Sequence, residues 1–401
     1  MRENKAYLKK EKGLGPSTKC VHVASDPDPA YGAIVPPIYQ STTYAVPNVP
    51  DLIARYKHKK GGYTYTSTGN PTQRVAELKI AAVEGGEDAA VFSAGMAAIT
   101  ATITSLVTHG DEIIAQRELY GETFHFFKLL EEKMGIKTHY FDTTNVAEVR
   151  KLVNDKTKLL YLETPTNPTL RLVDIVACAK IAKRHGITSV LDNTFASPMN
   201  QNALPLGVDV VVESATKSLS GHHQAVCGVA VSTKDRIRAI KSMRSLYGQI
   251  LDPFAAWLLV IGMQTMALRV ERQNSNALAL AKYLEGYSKI NRVHYPGLTS
   301  HPQHALAKKQ MHGFGGLLAF EVKGGLDEIT RLFDHLKLVK LATSLGGVDT
   351  IATIPSISTH GDLTPEEQKK MGIAPTLVRV SLGIEDFADL RRDFEEALSF
   401  V

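Results

Sequence analysis

Between positions 88 and 231, short apolar runs alternate with longer stretches whose apolar residues recur every three or four positions, the pattern of a parallel sheet with crossover helices. It predicts strands at 89–92, 112–115, 137–140, 159–162, 189–191, 208–212 and 226–231, each followed by a polar or glycine-bearing turn. Val210, Val211 and Val212 do not alternate with polar residues, so their strand should be buried on both faces. Upstream, residues 1–60 are rich in Pro, Gly and Tyr and show little periodicity; they read as an extended arm that must pack on something else. A helix should start at Asn70-Pro71, with Val75, Leu78, Ala81 and Ala82 at helical spacing. Residues 252–286 read as continuous helix closing the large domain, and strands at 317–322 and 377–381 among helices at 327–336 and 387–398 predict a smaller α/β domain. The expected organisation is α/β: an arm over 1–62 that contacts a neighbouring subunit, a large domain with a mostly parallel sheet over 63–260, and a small domain over 261–401.

Composition narrows the class. With 401 residues, 44% hydrophobic and 22% charged, the chain is globular rather than disordered. Its net charge of +5 carries no long basic run, which argues against a nucleic-acid partner; the cluster Lys57-His58-Lys59-Lys60 reads as a solvated loop. Cys20, Cys178 and Cys227 are too scattered for a disulfide framework or a CxxC metal site, which fits a reducing cytoplasm. The charged N-terminus has no apolar core behind it and is not a signal peptide. The longest apolar stretch, 255–263, falls short of the roughly 20 residues needed to cross a bilayer.

The chemistry collects where the strands end. The valine strand stops abruptly at Glu213-Ser214-Ala215-Thr216-Lys217-Ser218, and ligands of open α/β sheets bind beyond the carboxyl ends of strands. Ser and Thr offer donors to a phosphate, and an amine near apolar walls shifts toward its nucleophilic form, as Schiff-base lysines do. Lys217 is therefore the candidate chemical lysine. The turn Ser93-Ala94-Gly95-Met96 opens a helix whose N–H groups and dipole suit a phosphate. It is not a dinucleotide fingerprint, because no GxGxxG follows that strand. Two further strands end in Glu163-Thr164-Pro165-Thr166-Asn167 and Asp192-Asn193-Thr194, bringing two acids and an amide to the same edge. Asp192 could simply cap a turn; alternatively, a carboxylate under a pyridine nitrogen keeps that nitrogen protonated and makes the ring an electron sink. A zinc site at His301, His304 and His312 is not expected, since Pro302 breaks the helix on which ligands would share a face. His222 and His223 suit a turn.

Together these segments resemble the pyridoxal-phosphate enzymes of Cys/Met metabolism, the trans-sulfuration family that includes cystathionine γ-synthase, cystathionine γ-lyase, methionine γ-lyase and O-acetylhomoserine sulfhydrylase. The resemblance runs from PPIYQSTT at 36–43 through GNPT at 69–72, LETPTNP at 162–168, LDNTF at 191–195, SATKSLSGH at 214–222 and YPGLTSHPQH at 295–304 to VRVSLGIED at 378–386. It implies the fold-type I pyridoxal-phosphate transferase-like fold, assembled as a homotetramer built of dimers with shared active sites. Lys217 would hold the cofactor covalently, Asp192 would pair its ring nitrogen and Asn167 its phenolic oxygen. Gly95, Met96, Ser214 and Thr216 would hold the phosphate, with Tyr65 reaching it from an adjacent subunit. Tyr120 would stack on the ring and serve catalysis, while Arg379, with Ser344 and Asn167, would bind the substrate carboxylate.

Two departures stand out: the family's phosphate-binding arginine in Tyr-x-Arg-x-x-Asn-Pro-Thr is Ser67 here, and His223-Gln224 replaces the Asp common after the Gly-His of the lysine loop. At the specificity positions the chain carries Thr343, where cystathionine γ-lyases have Glu, and Glu122, where methionine γ-lyases have Cys; Glu122 is expected to line the substrate entrance. The resemblance implies γ-elimination from methionine or cystathionine, giving 2-oxobutyrate, ammonia and a thiol or cysteine. The alternatives are γ-replacement on an O-acylhomoserine, which shares all these residues, and cofactor binding without turnover.

Overall fold

A computed structural model describes residues 13–57 and 59–401; residues 1–12 of the expected arm and His58 of the basic cluster lie outside the described residues. The chain divides into two compact units, each made of two separate segments.

The first unit takes residues up to Leu106 together with Val210–Ala267. Its helix Pro71–Glu84 starts where the sequence predicts: Asn70 Oδ1 accepts from Thr72 N at 2.8 Å, Pro71 takes the first turn, and Gly85 closes the helix at φ 79°. Such a cap contributes about 1 kcal/mol. The same helix moors the arm. Lys79, fully buried, donates from Nζ to the carbonyls of Cys20 (2.8 Å) and Val21 (3.2 Å) at the end of a short helix, Pro16–His22. Asn70 Nδ2 donates to the Tyr39 carbonyl and to the Tyr44 hydroxyl, each at 2.8 Å. Between these moorings the arm is largely exposed, as its weak periodicity suggests, with Tyr31 at 95% and Ile34 at 78% of full exposure. Three strands follow in the order Asp88–Phe92, Gly228–Ser232, Val210–Glu213, and both pairings are antiparallel. The strand expected at 226–231 thus forms two residues later and against the parallel expectation. A parallel return needs a crossover, usually a helix; the fourteen residues 214–227 hold the lysine turn instead.

The second unit takes Val107–Asp209 and Leu268–Val401. Four parallel strands lie in the order Thr188–Asp192, Thr157–Glu163, Glu112–Gln116, Lys137–Phe141, all at predicted positions within two residues. A second sheet orders Lys340–Leu341, Ile351–Thr353, Leu377–Ser381, Leu317–Val322, Ile290–His294, antiparallel except for its first pair. Phe320 and Phe394 pack edge-on at 6.2 Å in its core with Leu318, Val378 and Val380. Three of these strands are too short or too polar for the pattern to reveal; Ile290–His294 exposes Asn291 and Arg292. The helix expected over 252–286 is broken at Thr265 into Pro253–Gln264 and Met266–Glu285. Among the described residues no single helix is long and apolar enough to cross a membrane.

Candidate active site

In the first unit, strand register puts two turns at one sheet edge, since Phe92 pairs with Gly228 and Glu213 with Val229. Phe92 runs through Ser93 and Ala94 into the helix Gly95–Thr104, whose N-cap residue Ala94 offers no side-chain cap. The first N–H groups of such a helix, with the dipole behind them, bind anions. Glu213 runs into Ser214 and Lys217. The two turns touch: a Cβ on Gly95 would lie 2.7 Å from Ser214 Cβ, so the serine side chain rests directly on the glycine, one residue from Met96. Thr216 Oγ1 donates to the Cys227 carbonyl (3.1 Å) and accepts from Cys227 N (3.0 Å), bracing the lysine turn against the next strand.

Lys217 is half-buried, and its backbone is fixed on both sides: its N–H donates to the Ser214 carbonyl at 3.1 Å, and its carbonyl accepts from Gly221 N at 2.7 Å. Behind it the helix Pro253–Gln264 comes so close that a Cβ on Gly262 would sit 2.1 Å from the Ser220 carbonyl oxygen. His222 Nδ1 bonds that same carbonyl (2.8 Å) and His223 takes a left-handed φ of 57°, the turn role expected of the pair. Tyr65 stands in an antiparallel bridge with Thr43 and is half-exposed. At the arginine-to-serine departure, the Ser67 carbonyl accepts from Ser245 Oγ at 3.0 Å.

The second unit gathers the remaining candidates. Glu163 and Asp192 are register partners at the ends of adjacent parallel strands, both buried, and neither makes an ion pair among the described residues. Burial and the Asp192 charge push the Glu163 carboxyl up to about 8; burial likewise raises Asp192 above the ordinary carboxylate range. Asp192 Oδ1 does accept from Thr194 N at 3.0 Å, so the turn role and the ring-facing role are compatible. Arg379, in the centre of strand Leu377–Ser381, is buried; Nη1 donates to Asn167 Oδ1 (2.8 Å) and Nη2 to the Ser344 carbonyl (3.0 Å). Its Nε is buried without a hydrogen-bond partner among the described residues, and burial lowers the guanidinium to about 10. Ser344 holds a positive φ of 85°, a conformation that a serine adopts only when its surroundings impose it.

Tyr120 lies at the same edge. Its phenol is raised by burial first and then by Glu122, Glu163 and Asp192, against the opposing Arg379, so these groups share one electrostatic neighbourhood. Glu122, in the first turn of helix Gly121–Met134, and Thr343 are both exposed. Sequence reasoning missed His360, a buried imidazole held down to about 4 by burial and by the Arg379 charge, because its loop has no periodic pattern. It also left open what Glu163 does. Of the zinc candidates weighed, His301 is buried and lowered to about 4, chiefly by burial, and its Nδ1 accepts from Gln303 N at 3.2 Å.

The residues present fit pyridoxal phosphate. In the first unit an uncapped helix start floored by glycine suits its phosphate and a half-buried lysine suits its aldehyde; in the second, buried acids without a cation among the described residues suit a protonated ring nitrogen. Residues 17–399 match the family described as Cys/Met metabolism PLP-dependent enzyme. The chain is 42% identical to an L-methionine gamma-lyase of Pseudomonas deceptionensis, covering 97% of this chain and 98% of that protein. It is 41% identical to a cystathionine beta-lyase of Coxiella burnetii, covering 95% and 97%. The crystal structure of metB from Corynebacterium glutamicum shares the fold with a TM-score of 0.91 at 37% identity, over 97% of this chain and 99% of that one. The fold and site thus define a fold-type I enzyme with pyridoxal phosphate as its cofactor. The chain belongs to the Cys/Met metabolism family of these enzymes.

Proposed function

We propose that the chain is a γ-lyase of sulfur amino acids, releasing 2-oxobutyrate, ammonia and a thiol or cysteine from methionine or cystathionine. Arg379 carries this reading: a buried guanidinium without a carboxylate partner among the described residues is suited to receive the α-carboxylate of an amino acid. The similarity to an L-methionine gamma-lyase supports elimination at Cγ.

Bound pyridoxal phosphate supplies an electron sink that allows the Cα–H bond of an amino acid to break. Gly95 and Met96 would hold its phosphate through their N–H groups, with Ser214 and Thr216 beside them. Asp192 would keep the ring nitrogen protonated, Asn167 would meet the ring oxygen, and Tyr120 would stack on the ring. Lys217, displaced by the substrate's amine, would take the Cα proton and then move a Cβ proton. Tyr120, its phenol kept protonated, would give a proton to the sulfur leaving Cγ.

The arm would complete the site of a neighbouring copy in a homotetramer built of dimers, a reading supported by the exposure of Tyr31, Ile34 and Tyr65. Cys20, Cys178 and Cys227, few and too scattered along the chain for a disulfide framework, support a cytoplasmic location.

The test is a substrate panel of methionine, cystathionine and O-acylhomoserines, after borohydride reduction and mass spectrometry have located the label on Lys217. The expected result is 2-oxobutyrate from the first two. Turnover of O-acylhomoserine with a thiol into a replacement product alone would overturn the reading, as would a label on another lysine.

A further inference from the structure

The side chain of Glu163 reaches backbone on both sides of the candidate site. Oε2 accepts from Tyr120 N at 2.9 Å and Oε1 from Asn167 N at 3.3 Å. Both partners are themselves placed to act: Tyr120 opens the helix Gly121–Met134 with no side-chain cap of its own, and Asn167 holds Arg379 Nη1 at 2.8 Å. The glutamate cannot drift. Gln116 Oε1 accepts from Glu163 N (2.8 Å), Gln116 Nε2 donates to the Glu163 carbonyl (2.6 Å), and the same Nε2 donates to the Glu118 carbonyl (2.8 Å). Gln116 is fully buried and ends its own strand, so its amide continues the sheet by one rung beyond the last backbone pair.

A carboxylate here has a cost, because it is buried beside Asp192 with no cation among the described residues. An amide would avoid that cost, but it has only one acceptor, and two N–H donors point at this side chain from different loops. Aspartate is one methylene shorter and cannot span both.

We infer that Glu163 is a positioning residue: one carboxylate ties the Tyr120 loop to the Asn167 loop, and through Asn167 it sets the fork of Arg379 that receives the substrate carboxylate. This rests on the reading of Arg379 given above. Glu163 does not meet the substrate in this assignment; it acts through Asn167 and Tyr120.

The experiment compares cofactor-loaded wild type with Glu163→Gln and Glu163→Ala. Glutamine keeps one acceptor for Tyr120 N but turns its NH2 toward Asn167 N. Spectral titration with L-alanine, which has the carboxylate and no γ leaving group, should show Kd about tenfold weaker in Glu163→Gln. KM for the turned-over substrate should rise similarly with kcat little changed, the mark of lost uniform binding. The visible circular dichroism of the bound cofactor should stay as in wild type for the glutamine variant and change for alanine, where the Tyr120 bond is lost too. Wild-type Kd and KM in Glu163→Gln would overturn the inference, as would a lowered melting temperature with no KM-against-kcat split. Should wild type bind L-alanine yet fail at γ-elimination, the proposed reaction falls while the role of Glu163 is still decided by the L-alanine titration.

Discussion

Gly228 lies beneath the Ala94 carbonyl so closely that a methyl group on it would stand 2.1 Å from the oxygen. The neighbour is backbone and opens the helix Gly95–Thr104, so it cannot swing aside as a side chain would. Gly228→Ala should therefore destabilise the protein by about 2–3 kcal/mol, the upper range of overpacking, and speed loss of the cofactor on dialysis. Gly95→Ala meets the Ser214 side chain first and should be milder in stability while equally damaging to cofactor retention. Urea melts and dialysis half-lives check both; wild-type retention in either variant would dissociate this edge from the phosphate.

Arg379 should show stability and activity moving in opposite directions. Removing a buried, unpaired cation relieves its desolvation, offset in part by the two oxygens left without a donor, so Arg379→Met should hold or raise apoprotein stability by 0 to about 2 kcal/mol. The same change should lower kcat/KM at least about a hundredfold, since a charge-assisted pair with substrate is lost. A clear drop in the apoprotein's urea midpoint would show that the guanidinium is already neutralised.

The buried acids give the apoprotein a signed pH dependence. Glu163, raised to about 8, and Asp192, raised as well, bind protons more tightly folded than unfolded. Their contribution is present below the ordinary carboxylate value and lost as pH rises toward 8. His301 and His360, lowered to about 4, act oppositely: they contribute stability above the ordinary histidine value and lose it as pH falls below that value. Between pH 6.5 and 8 the acids dominate, so apoprotein stability should fall by about 1–2 kcal/mol. Glu163→Gln should flatten this slope, and the cofactor-loaded protein should show less of it. Equal urea midpoints at pH 6.5 and 8 would argue against a raised Glu163.

On the proposed γ-lyase reading specificity would turn on Glu122 and Thr343, both exposed, the first beside Tyr120 and the second on a loop of the second sheet. A carboxylate rewards the distal ammonium of cystathionine, and an exposed ion pair is worth no more than about 1 kcal/mol. Wild type should thus use cystathionine and methionine without a large preference, and Glu122→Ala should lower kcat/KM for cystathionine about two- to fivefold with methionine unchanged. Equal losses on both substrates would remove Glu122 from recognition of the distal charge.

The strands that carry chemistry were legible because each is a short apolar run ending in polar residues: the ends at Phe92, Glu163, Asp192 and Glu213 all fall within two residues of expectation. Direction was not legible. An apolar run such as that of Gly228–Ser232 reads alike in either orientation, and only the absence of a crossover helix between 213 and 228 marks it as antiparallel. Strands with exposed charges, such as Ile290–His294, were hidden for the opposite reason. Within the site, Arg379 and Asn167 could be named separately, but not the bond between residues 212 positions apart. Glu163 looked like one more acid at a strand end, because its meaning lies in two backbone N–H groups that no side-chain pattern encodes.

The two moorings of the arm bear on what assembly through it would cost. Lys79 belongs to the helix that Asn70 caps, and between them they fix the arm at Cys20 and again at Tyr39. The stretch from 26 to 38, with Tyr31 and Ile34 turned outward, is therefore a tethered loop with both ends already in place rather than a free tail. Ordering a free tail consumes much of what its contacts return, whereas a loop shaped before encounter keeps most of it. A second copy would meet a preorganised handle, and a strain applied to that handle would be felt first by the helix Pro71–Glu84 and not at the chain's end.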